Sequence, residues 1–248
     1  MEDCLYKKYQ DLFDENEGLL KITDKQLAFI AGKKPTNDLQ SISIFLWCRA
    51  TVTMQAIQVL CKEGFGEDAL ALVRCLFEIL VTLRYIKNNP QRRGKRFFQF
   101  SVIQEKEYSE RYVKAGIGEV TEENLKEINT AYEKTKNIFG PKDINWTDFI
   151  TILKRNHSIK EMAEETNMTW DYDFVYYSLS HLFIHTSPRG TMKYTMESLD
   201  GGIIPVLRPG DRQTRESLSL SQRYFAGILK DFNGIWGSNV EIKAQFLC

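Results

Sequence analysis

Proline sets the first constraint on this chain. Six prolines, at positions 35, 90, 141, 188, 205 and 209, leave uninterrupted stretches of 54, 50, 46 and 39 residues. Proline removes a backbone donor and clashes with the preceding helical turn, so long stretches without it that are rich in helix formers read as helices or helix pairs. Within the first stretch, Gly64-Phe65-Gly66 separates two apolar-periodic runs, 38–63 and 67–88. That pattern predicts an antiparallel helical hairpin turned at the glycines. Past Pro90 an amphipathic run extends to about 114 and stops at Gly116 and Gly118. Thr121, followed by Glu122 and Glu123, is placed to cap the next helix and give it an acidic first turn. Shorter helices are expected near 146–154 and 158–166, and a stronger one over 170–186.

The predicted fold class is all-α. A single domain over 1–248 forms a helical bundle built around the long hairpin of about 38–88. An N-terminal helical arm (1–35) precedes a helical core (38–186), and a helix over 211–236 closes the chain. Between them, 187–210 holds three of the six prolines with Gly190, Gly201, Gly202 and Gly210. This irregular segment has room for a small β-hairpin near 190–208, MKYTM against GIIPVL, with Pro205 and Pro209 confining it to an edge or a loop.

Charge and cysteine narrow the function classes. Lys+Arg and Asp+Glu are 33 each, so the formal net charge is zero, which excludes a histone-like or acidic-tail protein. Neutrality hides polarity, however: residues 84–115 carry nine basic and three acidic residues. The five cysteines are odd in number and never spaced C-x-x-C, unlike a secreted disulfide scaffold or a zinc ribbon. The opening residues are acidic and lack the apolar core of a signal peptide. The most apolar stretches, 39–61 and 69–86, are interrupted by Arg49, Gln55 and Gln58, and by Arg74, Glu78 and Arg84. No membrane association is therefore expected, and the predicted location is cytoplasmic.

The run EDALALVRCLFEILVTLRYI at 67–86 is apolar all round, the signature of a buried helix, and Arg74 and Glu78 stand out in it. They are i, i+4 partners in the weaker order, Arg before Glu, so a plain surface bridge explains them poorly. Buried charges need partners. The preceding helix supplies Arg49, on the stripe Ile42, Phe45, Val52, Ala56 and Val59. The helix WDYDFVYYSLSHLFIHT supplies Asp173, Tyr177, His181 and His185 at four-residue spacing, with Ser180 beside them. Three readings follow. The cluster fixes helix register and does no chemistry; or a histidine acts as acid or base while an arginine steadies a developing anion; or His181, His185 and Glu78 bind an ion. No H-E-x-x-H or E-x-x-H accompanies the histidines, so neither a metal nor another cofactor is expected.

A second signal is the basic stretch Arg84, Lys87, Arg92, Arg93, Lys95 and Arg96, followed by Phe97, Phe98 and Phe100. Phosphate neutralisation with base stacking is what single-stranded nucleic acid requires. Against this, bases at a helix end also complement its dipole, and the phenylalanines also suit a core. Arg92, Arg93, Lys95 and Arg96 are the candidate anion-binding residues; no DNA binding is predicted.

The stretch GEDALALVRCLFEILVTLRYI, followed by YYSLSHLFIHTSP, resembles the domain of unknown function 5677 family of bacterial helical proteins. The resemblance covers about residues 40–190. It rests on an R-x-x-x-E helix (Arg74, Glu78) and a Ser…His-x-Ser element (Ser180, His185, Ser187), and it implies no activity. A more distant likeness is to HEPN helical bundles, which implies a dimeric, RNA- or nucleotide-directed protein of a phage-defence or toxin system. Their motif, Arg followed four to six residues later by His, is absent, so such a site would join Arg74 to His185 across helices. The functional expectation is thus an RNA- or nucleotide-directed effector using Arg74, Glu78 and His185, with His181, Tyr177, Ser180 and Arg49 around them. The enzymatic form of that expectation is a metal-independent ribonuclease or phosphodiesterase. The alternative is a non-enzymatic homodimeric interaction module whose polar cluster is structural.

Overall fold

The computed structural model describes residues 2–117, 121–139, 146–147, 158–184, 188, 194–197, 200–206 and 209–242, and of 2–3, 158, 179–184 and 196–197 the backbone only. Helices dominate: α1 (Glu2–Lys8), α2 (Gln10–Ile30), α3 (Asp38–Lys62), α4 (Gly66–Asn88), α5 (Pro90–Ala115), α6 (Glu122–Thr135), α7 (Ser158–Glu165) and a single turn, α8 (Thr169–Asp171). That turn runs on as a π-helix (Tyr172–Ile184), and α9 (Thr214–Trp236) follows the irregular segment. The fold is an all-α helical bundle. The helix expected at 146–154 lies almost wholly outside the described residues.

Local chemistry explains the boundaries. Asn37 accepts from the Gln40 amide at 3.0 Å and caps α3. Asn89 caps α5 with Pro90 at its first turn, and Thr121 accepts from the Asn124 amide at 3.2 Å to cap α6. Gly116 ends α5 in the left-handed conformation.

The α3–α4 hairpin is the centre of the bundle, and α9 packs on α4, α3 and α2. Phe77 and Leu83 of α4, Met54 and Ile57 of α3, Leu19 of α2, and Tyr224, Phe225 and Phe232 of α9 are fully buried. Polar staples hold α9 in place. Asn16 donates to the Leu218 carbonyl (3.2 Å) and Gln26 to the Leu229 carbonyl (3.0 Å), while the Trp47 indole, donating to Gln26 at 2.8 Å, ties α3 to α2. In the irregular segment, β1 (Thr195–Glu197) and β2 (Ile203–Pro205) pair antiparallel, with Thr195 opposite Pro205 and Glu197 opposite Ile203.

One expected face is reversed. Of the stripe assigned to the core of α3, Ile42 is buried, but Phe45, Val52 and Val59 are 58%, 59% and 61% exposed. The buried face is instead Ile42, Trp47, Ala50, Met54, Ile57 and Cys61. The helix is apolar on nearly every side, so periodicity alone does not choose the inward face. It is also long and apolar enough to cross a membrane by composition, yet Trp47, Met54 and Ile57 lie in the core beside α4 and α9.

Candidate functional site

Helix α4 is covered by α3 and α9 on its apolar faces, and the π-helix lies along a further side. Arg74 and Glu78 fall on that side, one turn apart. Their side chains are 25% and 39% exposed, so the polar pair expected to be buried is half open to solvent. The reason is geometric: α4 is enclosed by neighbours elsewhere, whereas the row of Arg74 and Glu78 follows the seam with the π-helix.

At the seam Arg74 bridges a carboxylate and a phenol. Arg74 Nε donates to Glu78 Oε1 at 3.2 Å, and Arg74 Nη2 donates to the Tyr176 hydroxyl oxygen at 2.6 Å. The Glu78 carboxylate lies near enough to the Tyr176 hydroxyl for its charge to act on the phenol. The guanidinium carbon lies 4.0 Å from the Tyr176 ring centroid, and that ring packs on Phe77 at 5.6 Å and on Tyr172 at 5.3 Å. Burial and the Glu78 charge push the Tyr176 phenol up, with Arg74 opposing, so Tyr176 is a neutral hydroxyl. Burial works against the charge of Arg74, and its bonds to Tyr176 and Glu78 outweigh it, leaving the guanidinium more firmly protonated than usual.

The remaining candidates are distributed around this cluster. Arg49 is exposed on α3, near enough for its charge to act on the Cys75 thiol. Burial pushes Cys75 up, and burial pushes Cys61 up to about 12, so neither is a thiolate at neutral pH. Tyr177 is 56% exposed, its ring centroid 6.5 Å from that of Tyr172. The side chains of Ser180 and His181, and the whole of His185, lie outside the described residues, so the histidine half of the expected site does too.

The basic stretch divides. Arg93 is buried; Nη1 donates to the Tyr85 carbonyl (2.7 Å), Nη2 to Glu165 (2.8 Å), and the guanidinium stacks 3.6 Å from the Tyr85 ring. Arg96 donates to the Trp146 carbonyl at 3.0 Å and lies over Phe139. Both serve internal contacts, whereas Arg92 and Lys95 are exposed. Phe97 and Phe98 are half-buried: Phe97 packs on Trp146 and Phe98 on Phe45.

Sequence reasoning missed three partners. The four-residue repeat points to Tyr177, whereas Tyr176 makes the contact with Arg74. Asp171, which is 3% exposed, accepts from the Tyr224 hydroxyl at 3.0 Å and pairs with Arg223 at 3.1 Å. Asp231 accepts from Arg84 Nε at 2.9 Å and from Lys87 Nζ at 2.6 Å. A signal existed for Asp231, a charge amid YFAGILKDF on the apolar face of α9. Nothing local pairs it with residues some 145 positions earlier.

The fold and the site together define an all-α bundle with a half-open guanidinium–phenol–carboxylate seam. The chain belongs to the family of unknown function DUF5677, whose model matches residues 40–203, from α3 to the first residue of β2. No curated protein and no solved structure matches the chain.

Proposed function

We propose that the protein is an RNA- or nucleotide-directed effector of a defence or toxin type, with Arg74 as its phosphate-contacting residue. The observation that carries this reading is Arg74 bonded at once to Tyr176 and Glu78. A guanidinium with its charge secured lies beside a neutral hydroxyl donor, and both are reachable from solvent at the seam. Two donors of this kind on one side suit a phosphate oxygen pair. Glu78 is a weak i, i+4 partner, so an incoming phosphate displaces it at small cost. In this mechanism His185 exchanges the proton of the attacking or leaving oxygen, Glu78 orients one of the partners, and no metal takes part. Arg92 and Lys95 add a steering charge for a polyanion. The test uses Arg74→Ala and His185→Ala assayed on RNA oligonucleotides and on nucleotide binding. Both variants are expected to keep their fold and lose at least about tenfold in activity or affinity. Unchanged values in both reject the reading.

A second reading, a non-enzymatic homodimeric interaction module, is favoured by the outer row of α3. Phe45, Val52 and Val59 recur every seven residues and are each more than half exposed. Seven-residue apolar spacing is what a helix–helix seam needs. Sedimentation velocity decides it: a dimer that becomes monomeric in Val52→Glu supports the module, and a wild-type monomer at micromolar concentration rejects it.

A further inference from the structure

The turn of the central hairpin carries a second site, eight residues and so about 12 Å along α4 from Arg74. Gly64, Phe65, Glu67 and Asp68 form one side of a half-enclosed cavity of about 260 Å³, and Tyr194, Val206, Pro209 and Arg212 form the other. Three distant parts of the chain meet here, and their contact is tight. The Gly210 amide donates to the Gly64 carbonyl at 3.0 Å, making a parallel bridge between Phe65 and Gly210. Gly64 has φ +86°, and a Cβ there would lie 3.0 Å from Pro209; a Cβ on Gly66 would lie 2.5 Å from both the Arg212 carbonyl and the Thr214 amide. No side chain fits at either position, so the floor of the cavity is backbone packed on backbone and holds its shape.

Polar groups on this floor are specific. Glu67 is only 8% exposed, an unusual state for a carboxylate. Burial first, and the neighbouring Glu67 carboxylate second, push the Tyr194 phenol up, so the tyrosine is a neutral hydroxyl. Arg212 Nε stands 3.6 Å from Glu67, an ion pair beyond hydrogen-bond reach, with its guanidinium 5.1 Å from the Tyr194 ring centroid. A carboxylate has room for about four hydrogen bonds, and these contacts leave acceptor capacity in the cavity. Asp68 stands exposed at the rim. Two carboxylates against one guanidinium leave the lining one unit negative. The walls are apolar or aromatic: Phe65, Tyr194, Val206 and Pro209.

We infer that this cavity binds a small organic monocation, a primary amine or a guanidine on a short apolar or aromatic body. Its cationic head bonds Glu67 and offsets the surplus negative charge, while its body lies between the Tyr194 and Phe65 rings, whose faces attract cations. Anions are disfavoured by the same carboxylates, which separates this site from the phosphate chemistry proposed for Arg74.

Isothermal titration calorimetry on the full chain tests the inference with benzylamine, butylamine and butylguanidine. Benzyl alcohol serves as the neutral counterpart and benzoate as the anionic one. At least one of the three cations is expected to bind saturably at one per chain, with no heat from the alcohol or from benzoate. Glu67→Gln is expected to weaken binding about 10- to 100-fold, the value of a charge-assisted bond. Asp68→Asn, an exposed position that does not threaten folding, is expected to weaken it up to about fivefold. The inference is overturned if no cation binds saturably, if benzoate binds instead, or if Asp68→Asn and a folded Glu67→Gln both bind as the wild type does. Should Glu67→Gln not fold, wild-type affinity in Asp68→Asn overturns it alone.

Discussion

Two arginine–carboxylate clusters sit on the same helix and hold different things. Arg74 pairs with Glu78 one turn along α4 itself, with both side chains partly open to water. Arg84 and Lys87, further along, reach across to Asp231 on α9, whose side chain is 11% exposed. The first pair joins no two helices to each other; its cross-helix link is the bond from Arg74 to Tyr176. The second fastens the closing helix to the core, with a nearly buried carboxylate between two cations. A buried carboxylate losing its partners, or cations losing theirs, is expensive, whereas an exposed i, i+4 pair contributes a few tenths of a kcal/mol. The cluster with the lighter duty in the fold is thus the one with latitude for ligand chemistry.

That contrast breaks first at Asp231. Asp231→Ala leaves Arg84 and Lys87 facing each other without their shared acceptor; since both cations are partly solvated, the expected loss is about 2–3 kcal/mol rather than the full buried-pair figure. Calorimetry should then record a fall in Tm of about 4–12 °C, and a fall below 2 °C would put the two clusters on equal footing. Arg74→Ala is expected to cost about 1 kcal/mol, chiefly the bond and ring contact with Tyr176. Glu78→Gln should cost less than about 0.5 kcal/mol. A loss in Arg74→Ala as large as that in Asp231→Ala would make the seam a structural staple and remove the basis for reading it as a site.

The effect that is absent at neutral pH concerns alkali. Burial holds the Cys61 thiol protonated up to about 12, against an ordinary value of 9.0. Above pH 9 the unfolded chain releases this proton and the folded chain does not, so stability falls with rising pH until about 12. The slope is at most about 1.4 kcal/mol per pH unit. Cys61→Ala should flatten this part of the pH profile in urea titrations, and an unchanged profile would assign the alkaline loss to other groups. In the folded protein the exposed Cys4 and Cys48 should react with a thiol reagent well before Cys61.

Local features of the fold are legible in the sequence. The Gly64-Phe65-Gly66 turn, the caps at Thr121 and Gly116, and the span of the central hairpin each depend on residues a few positions apart. Arg74 and Glu78 are legible for the same reason, as charges in an apolar run at helical spacing. What escapes is the choice of face. The four-residue polar repeat points Asp173 and Tyr177 toward the site, and the structure leaves both residues exposed. Tyr176, one position away, reaches Arg74 instead. The segment winds as a π-helix, so its contacts do not follow the α-helical period; Ser178 bonds back to the carbonyl of Asp173, five residues earlier. The outward row of α3 escaped likewise, because valine and phenylalanine carry no mark of the side on which a partner lies.

The position of α9 also bears on how the chain reaches this state. Asn16 meets the Leu218 carbonyl and Gln26 the Leu229 carbonyl across 202 and 203 residues of sequence. The hairpin of α3 and α4 forms from neighbours in the chain, yet the groove it makes with α2 has no lid until α9 has been synthesised. At about 5–20 residues per second, the ribosome takes roughly 7–30 s to travel from the end of α4 to the end of α9. Closing so long a loop is slow as well as late. The nascent protein therefore spends much of its synthesis with Phe77, Met54 and Leu19 facing water, a substrate for chaperones before it is a bundle.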